Sequence, residues 1–203
     1  DEGALETSLE EEQILQILRD FKTKVDIGID IASSSFYDKK KYKYNDKILI
    51  RDEQIDYINE LIEKYNILYC EDPLDEEDFK GFSKINRSPN HLVVGDDLTA
   101  THLPRLKKAI KLKSINAMII KPNQNGSLLE LAEIFKVCKQ HSIKTILSHR
   151  SGETMDDALA DYAFGFQADF IKCGIATVWR ESKLQRLLEI ERSLWLIIYF
   201  NFS

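Results

Sequence analysis

The chain is poor in residues that interrupt or cross-link a fold. Four prolines and eight glycines are scattered through 203 residues, so no Gly-, Ser- or Pro-rich stretch marks a linker and the chain reads as one domain. Cys70, Cys138 and Cys173 are odd in number, widely spaced and set in apolar runs. That excludes a disulfide framework and a CxxC metal pattern, and reads as reduced thiols in the core of a cytoplasmic protein. The apolar run Leu194 to Phe200 falls well short of the roughly 20 residues that span a bilayer, so it reads as a buried or adventitious end and not as a membrane anchor. Lysine and arginine number 28 against 34 acidic residues, a net charge of −6, and the cations are scattered, which argues against nucleic acid as a partner. The start, Asp1-Glu2-Gly3, has neither an initiator methionine nor a basic and apolar leader; it reads as a fragment without a secretory signal.

What is present is a series of polar groups at the ends of strand-like runs. Asp30 follows Val25 to Ile29, Glu71 follows Ile67 to Cys70, and Asp96 follows His91 to Gly95. Lys121 then closes Ala117 to Ile120, His149 follows Lys144 to Ser148, and Lys172 closes Asp169 to Ile171. From Glu71 onward the steps are 25, 25, 28 and 23 residues, the length of a strand, a loop and a helix. The helical period predicts helices over Leu9 to Phe21, Ile55 to Tyr65, Asp75 to Ile85, Pro104 to Leu112, Leu128 to His141 and Met155 to Gly165. Phe36, Tyr37, Tyr42 and Tyr44 flank the basic tip Lys39-Lys40-Lys41 and predict an inserted β-hairpin.

Alternating strands and helices imply an α/β fold with a parallel sheet, and polar groups on successive strand ends favour closure into a TIM-type barrel. A complete barrel takes about 250 residues, whereas only six strand-helix units are present, so the expected fold is a partial barrel with a β-hairpin insertion. The expected domain covers 1–191, incomplete at its N-terminus, with 192–203 as an atypical apolar tail.

Side chains at the C-terminal ends of barrel strands converge on one mouth. Asp30, Glu71 and Asp96 together offer an oxygen-only site that suits Mg2+, whereas zinc favours His or Cys. A single strand-end carboxylate more often caps a loop; three in register carry the argument. Lys121 and Lys172 would enter that mouth, where cationic surroundings lower a lysine pKa and make it a base.

The runs Asp1-Glu2-Gly3, Gly28 to Ser34, Glu71-Asp72-Pro73, Gly95 to Thr99, Lys121 to Ser127, Ser148 to Thr154 and Ile171 to Gly174 resemble, in order, the motifs of enolases, phosphopyruvate hydratases. The run SHRSGET, Ser148 to Thr154, is the most specific, and the resemblance covers residues 1 to about 191. It implies Mg2+ at Asp30, Glu71 and Asp96, Lys121 as the base that removes the C2 proton of 2-phosphoglycerate, and Glu2 as the acid for departure of the C3 hydroxyl. It further implies substrate contacts from Glu71, Asp96, Ser148, His149, Arg150, Ser151 and Lys172, with Arg150 clamping the phosphate and Lys172 facing the carboxylate. Enolase-superfamily sites use a lysine or histidine base with Mg2+ stabilising the enediolate.

Cys173 stands where the family has threonine. The family's smaller domain, lid loops and first two barrel strands are not among these residues, so unaided catalysis is not expected. The expected activity is Mg2+-dependent dehydration of 2-phosphoglycerate to phosphoenolpyruvate in the cytoplasm, as part of a full enzyme that forms a homodimer. The alternatives are a non-catalytic enolase-like binding protein or a superfamily enzyme acting on another carboxylate.

Overall fold

A computed structural model of the chain describes residues 6–20, 25–85, 88, 91–174 and 177–201, without the side chains of 195–201. Helix α1 (Glu11–Asp20) leads into strand β1 (Ile27–Asp30), after which a 3-10 turn (Ser33–Phe36) opens an inserted sheet of β2 (Tyr37–Asp38), β3 (Lys41–Lys43) and β4 (Ile48–Ile50). The chain then alternates regularly: α2 (Arg51–Tyr65), β5 (Ile67–Glu71), α3 (Phe79–Phe82), β6 (Leu92–Gly95), α4 (Leu103–Leu112) and β7 (Ala117–Ile120). There follow α5 (Pro122–Asn125), α6 (Leu128–Gln140), β8 (Lys144–Ser148), α7 (Ala158–Gly165), β9 (Phe170–Lys172) and α8 (Val178–Asn201).

Six strands make one sheet in the order β1-β5-β6-β7-β8-β9, every neighbour parallel. Strand alternation divides their side chains between two layers. On β7, Met118 and Ile120 join the core beneath the helices, while Ala117 and Ile119 join Val94 and Ile146 in a second, inner cluster. All four β7 residues are buried, as expected of a strand covered on both faces.

The sheet curls. In a flat sheet with roughly 4.8 Å between strands, β1 and β9 would be roughly 24 Å apart, beyond the reach of any side chain. Yet Lys172 Nζ on β9 lies 3.1 Å from Asp30 Oδ2 on β1. Six strands therefore wrap far enough for their C-terminal ends to face one another across a mouth. That is the partial barrel the sequence predicts.

Local signals explain the helices. Ile55, Ile58, Leu61 and Ile62 form the buried stripe of α2, and Glu53 accepts the N–H of Ile50 at 2.8 Å across its first turn. Asn66 ends that helix in the left-handed region at φ 50°. Pro104 sits in the first turn of α4, where a missing N–H costs nothing, and Ser127 Oγ caps α6 by accepting the N–H of Glu130 at 3.3 Å.

Four expectations change. The insertion is a three-stranded antiparallel meander with Lys39 and Lys40 at positive φ in its first turn, because Ile48 to Ile50 adds a third strand to the hairpin. The helix expected over Asp75 to Ile85 shrinks to Phe79–Phe82. Its missing first part bonds elsewhere: the N–H of Asp75 goes to Tyr42 Oη at 3.0 Å and that of Glu76 to Ser34 Oγ at 2.9 Å, while Arg51 grips Asp78. The helix expected from Met155 starts at Ala158, because Thr154 and Asp156 take the N–H groups of Asp156 and Ala158 into local turns. On α1 only Leu15 is buried, and Ile17 and Leu18 are exposed; Phe21 lies outside the described residues.

The three cysteines are buried free thiols. Helix α8 runs on past residue 191 without a break. Among the described residues no helix is long and apolar enough to cross a membrane.

Candidate active site at the strand ends

Parallel register places the functional side chains. Asp30 and Glu71 are paired neighbours on β1 and β5, and Ser148 pairs with Lys172 across β8 and β9. Asp96, Lys121 and His149 each stand one residue beyond the ends of β6, β7 and β8. All seven thus lie at the C-terminal end of the sheet.

Two ion clusters form there. In the first, Lys172 Nζ donates to both oxygens of Glu71, each at 2.8 Å, and to Asp30 Oδ2 at 3.1 Å. Tyr69 Oη, on the same face of β5 two residues earlier, donates to Glu71 Oε2. Glu71 is fully buried. Burial pushes its carboxyl up to about 7, against the pull of Lys172. Burial alone would lower Lys172, but the carboxylates of Glu71 and Asp30 outweigh it and raise the lysine above its ordinary range. Without a cation the immediate neighbours of Lys172 are anions, whereas the lowering expected from the sequence belongs to a mouth that holds a divalent cation.

In the second cluster Lys121 Nζ donates to Asp96 Oδ2 at 2.5 Å. Thr101 Oγ1 accepts the N–H of Lys121 at 2.9 Å and donates to Gln124 at 2.8 Å, fixing the turn after β7. Asp72 braces the turn after β6. Its two oxygens accept the N–H groups of Asp96 at 3.1 Å and Asp97 at 2.7 Å, and its own N–H extends the ladder to Val94 at 3.1 Å. Asp72 holds φ 40°, an uncommon conformation for a side-chain-bearing residue. Burial drives its carboxyl up to about 8 in spite of those hydrogen bonds.

The loop after β8 is a third element. Ser148 is buried, whereas Arg150 and Ser151 are exposed. His149 Nδ1 is 2.8 Å from Arg150 O, and His149 and Arg150 line a cavity of about 320 Å3 together with Ser148, Asn123, Glu153 and Lys183. Glu2 lies outside the described residues.

Among the described residues one set of carboxylates has the spacing to hold a cation, and it differs from the set read from the sequence. Asp72, Asp96 and Asp97 place one oxygen each within 4.8 Å of one another. Asp72, however, already spends both oxygens on backbone N–H groups, which marks it as a brace. Asp30, Glu71 and Asp96, the set read from the sequence, have counter-charges that are lysine ammonium groups, the position of a cation in a carboxylate mouth. Asp96 belongs to both sets, and its Oδ1 is buried with no hydrogen-bond partner among the described residues. An orphaned carboxylate oxygen in an all-oxygen donor set fits a hard divalent cation.

Asp72, Tyr69, Thr101 and Lys183 carry no role in the sequence reading. Tyr69 could have been found from its spacing of two before Glu71 on one strand face; Asp72 gives no such signal, since its role depends on the backbone of another strand.

Comparison with known proteins agrees with this geometry. The model of the enolase C-terminal TIM barrel domain matches residues 1–200. The chain is 40% identical over 199 residues to the enolase of Archaeoglobus fulgidus, covering 94% of this chain and 50% of that protein. It is 39% identical over 204 residues to the enolase of Picrophilus torridus, covering 96% and 51%, and 45% identical over 181 residues to that of Sulfurisphaera tokodaii, covering 88% and 44%. The chain spans about half the length of these relatives. With its partial barrel, its strand-end carboxylates and lysines and this match along nearly its whole length, the chain belongs to the enolase family.

Proposed function

We propose that these residues are the catalytic barrel of a longer enolase chain that dehydrates 2-phosphoglycerate to phosphoenolpyruvate. The observation that carries the reading is the convergence of Asp30, Glu71 and Lys172 in one cluster and Asp96 with Lys121 in another, at one end of a curled sheet.

Asp30, Glu71 and Asp96 would hold Mg2+. When bound, the ion supplies positive charge that stabilises the negative charge developing on the substrate carboxylate. Lys121 takes the C2 proton onto Nζ. The turn fixed by Thr101 aims that amine, and Asp96 then stabilises the ammonium formed. Lys172 faces the substrate carboxylate. Ser148, His149, Arg150 and Ser151 bind the phosphate, with Arg150 suited to a bidentate clamp. Departure of the C3 hydroxyl as water takes one proton, supplied by Glu2, and leaves the C2–C3 double bond. Interactions that strengthen as the carboxylate gains charge lower the barrier, whereas phosphate contacts bind substrate and transition state alike. The full protein is read as a cytoplasmic homodimer.

The test is formation of phosphoenolpyruvate from 2-phosphoglycerate with Mg2+, measured for these 203 residues alone, for the same residues mixed with the upstream segment, and for the full chain. The expected result is no turnover alone, because a general acid at the second residue of a chain is poorly held, and turnover in the other two arms. A full chain that makes no phosphoenolpyruvate overturns the reading and favours a binding role.

A further inference from the structure

Lys183 is 1% exposed, rare for a lysine. It lies on α8, outside every motif that carries the strand-end chemistry. An ammonium has three N–H donors, and this one meets three acceptors: Trp179 O at 2.7 Å, Thr154 O at 2.5 Å and Glu153 Oε1 at 3.4 Å. The first belongs to the preceding turn of its own helix. The other two belong to the loop after β8, the loop that carries His149 and Arg150.

That loop has little else to hold it. Its remaining described hydrogen bonds are local: Ser148 to His149, His149 to Arg150, Thr154 to Glu153, Asp156 to Thr154 and Ala158 to Asp156. Strand β8 fixes its start at Ser148, and Lys183 fixes its far side at Glu153 and Thr154. Between the two anchors lie only His149, Arg150, Ser151 and Gly152, the last at φ 77°. A span so short, tied at both ends, has few conformations, and Lys183 lines the same cavity as His149 and Arg150. Burying an ammonium is costly unless every donor is paired, so a lysine here is explained by the acceptors it must satisfy, not by packing.

We propose that Lys183 is a positioning residue for substrate binding, holding the loop after β8 so that His149 and Arg150 point into the mouth. This rests on the reading of that loop as the phosphate-binding element. Lys183→Met keeps length and burial but donates no hydrogen bond. Because phosphate contacts bind substrate and transition state alike, the full chain carrying Lys183→Met should show a KM for 2-phosphoglycerate raised about tenfold or more with kcat little changed. Amide hydrogen exchange at residues 150–155 should quicken while exchange in β7 stays slow. A lysine that merely stabilises the barrel would lower the melting temperature and the active fraction, leaving KM and loop exchange at wild-type values; that result overturns the proposal. Should Lys183→Met fail to fold, Glu153→Gln takes its place, expected to shift KM and loop exchange in the same direction by a smaller factor, and unchanged values there overturn it equally. If the wild-type full chain has no enolase activity, the function reading fails, and loop exchange alone then decides the role of Lys183.

Discussion

Asp72 accepts the backbone N–H of Asp96 at 3.1 Å, so the carboxylate of one strand end sets the direction of the next. With its other oxygen on the N–H of Asp97 at 2.7 Å, Asp72 ties the turn after β6 to the end of β5. Asparagine at this position offers one acceptor and one donor, and the donor would face an N–H. Asp72→Asn is expected to cost about 1–3 kcal/mol, the penalty of leaving a buried group unpaired, read by urea unfolding of the full chain. A variant as stable as wild type would show that the brace does not hold the turn.

The choice between the two carboxylate sets is open to direct measurement. Asp30→Asn and Glu71→Gln should each weaken Mg2+ binding by more than about tenfold, since a hard cation loses a charged ligand. Asp97→Asn should leave affinity near wild type. Calorimetric titration with Mg2+, or Mn2+ as a spectroscopic substitute, gives the values, and the opposite ranking would move the ion to Asp72, Asp96 and Asp97.

Lys121 is expected to be dispensable for the metal but not for the proton. Positioned proton transfer contributes roughly 100-fold to 10,000-fold, so Lys121→Ala should slow exchange of the C2 proton of 2-phosphoglycerate with solvent by at least the lower figure. Its Mg2+ affinity should remain measurable, because Lys121 is a counter-charge to Asp96 and not a ligand. Exchange at the wild-type rate in this variant would place the base elsewhere.

Much of this was legible in the sequence for a physical reason. Parallel strands bury continuous apolar runs, so Ile67 to Cys70 and Ala117 to Ile120 stand out, and the polar residue that ends each run is marked by contrast. Barrel topology then brings Asp30 and Lys172 together although 142 residues separate them. What escaped depends on partners distant in sequence. The segment Asp75 to Asp78 has helical composition but gives the N–H groups of Asp75 and Glu76 to Tyr42 and Ser34, and no local period encodes that. Ile17 and Leu18 lie on an apolar stripe, yet α1 leaves them exposed. Asp72 and Lys183 act by supporting residues of other elements, and such support becomes visible only with coordinates.

Away from the mouth, Asp169 joins the starts of β8 and β9, and its environment predicts an acid limb for stability. Its Oδ1 pairs with Lys144 Nζ at 2.6 Å, and its Oδ2 accepts the N–H of Thr145 at 2.9 Å and its hydroxyl at 3.1 Å. Burial alone would raise its carboxyl, but these donors outweigh it and hold it below the usual carboxylate range. An acid with a depressed folded pKa stabilises the fold above its unfolded pKa of about 3.9, and that contribution fades as pH falls through the folded value. Asp169→Asn keeps acceptors for Thr145 and loses only the ion pair. Because Lys144 is half exposed, that loss should stay below about 1 kcal/mol at pH 7. Asp169→Ala also leaves the N–H of Thr145 without its side-chain acceptor, for a total of about 1–3 kcal/mol. Urea unfolding at pH 7 and pH 3 should show the wild type converging on Asp169→Asn at the lower pH. A gap that stays constant between the two pH values would mean that the charge of Asp169 plays no part in joining β8 to β9.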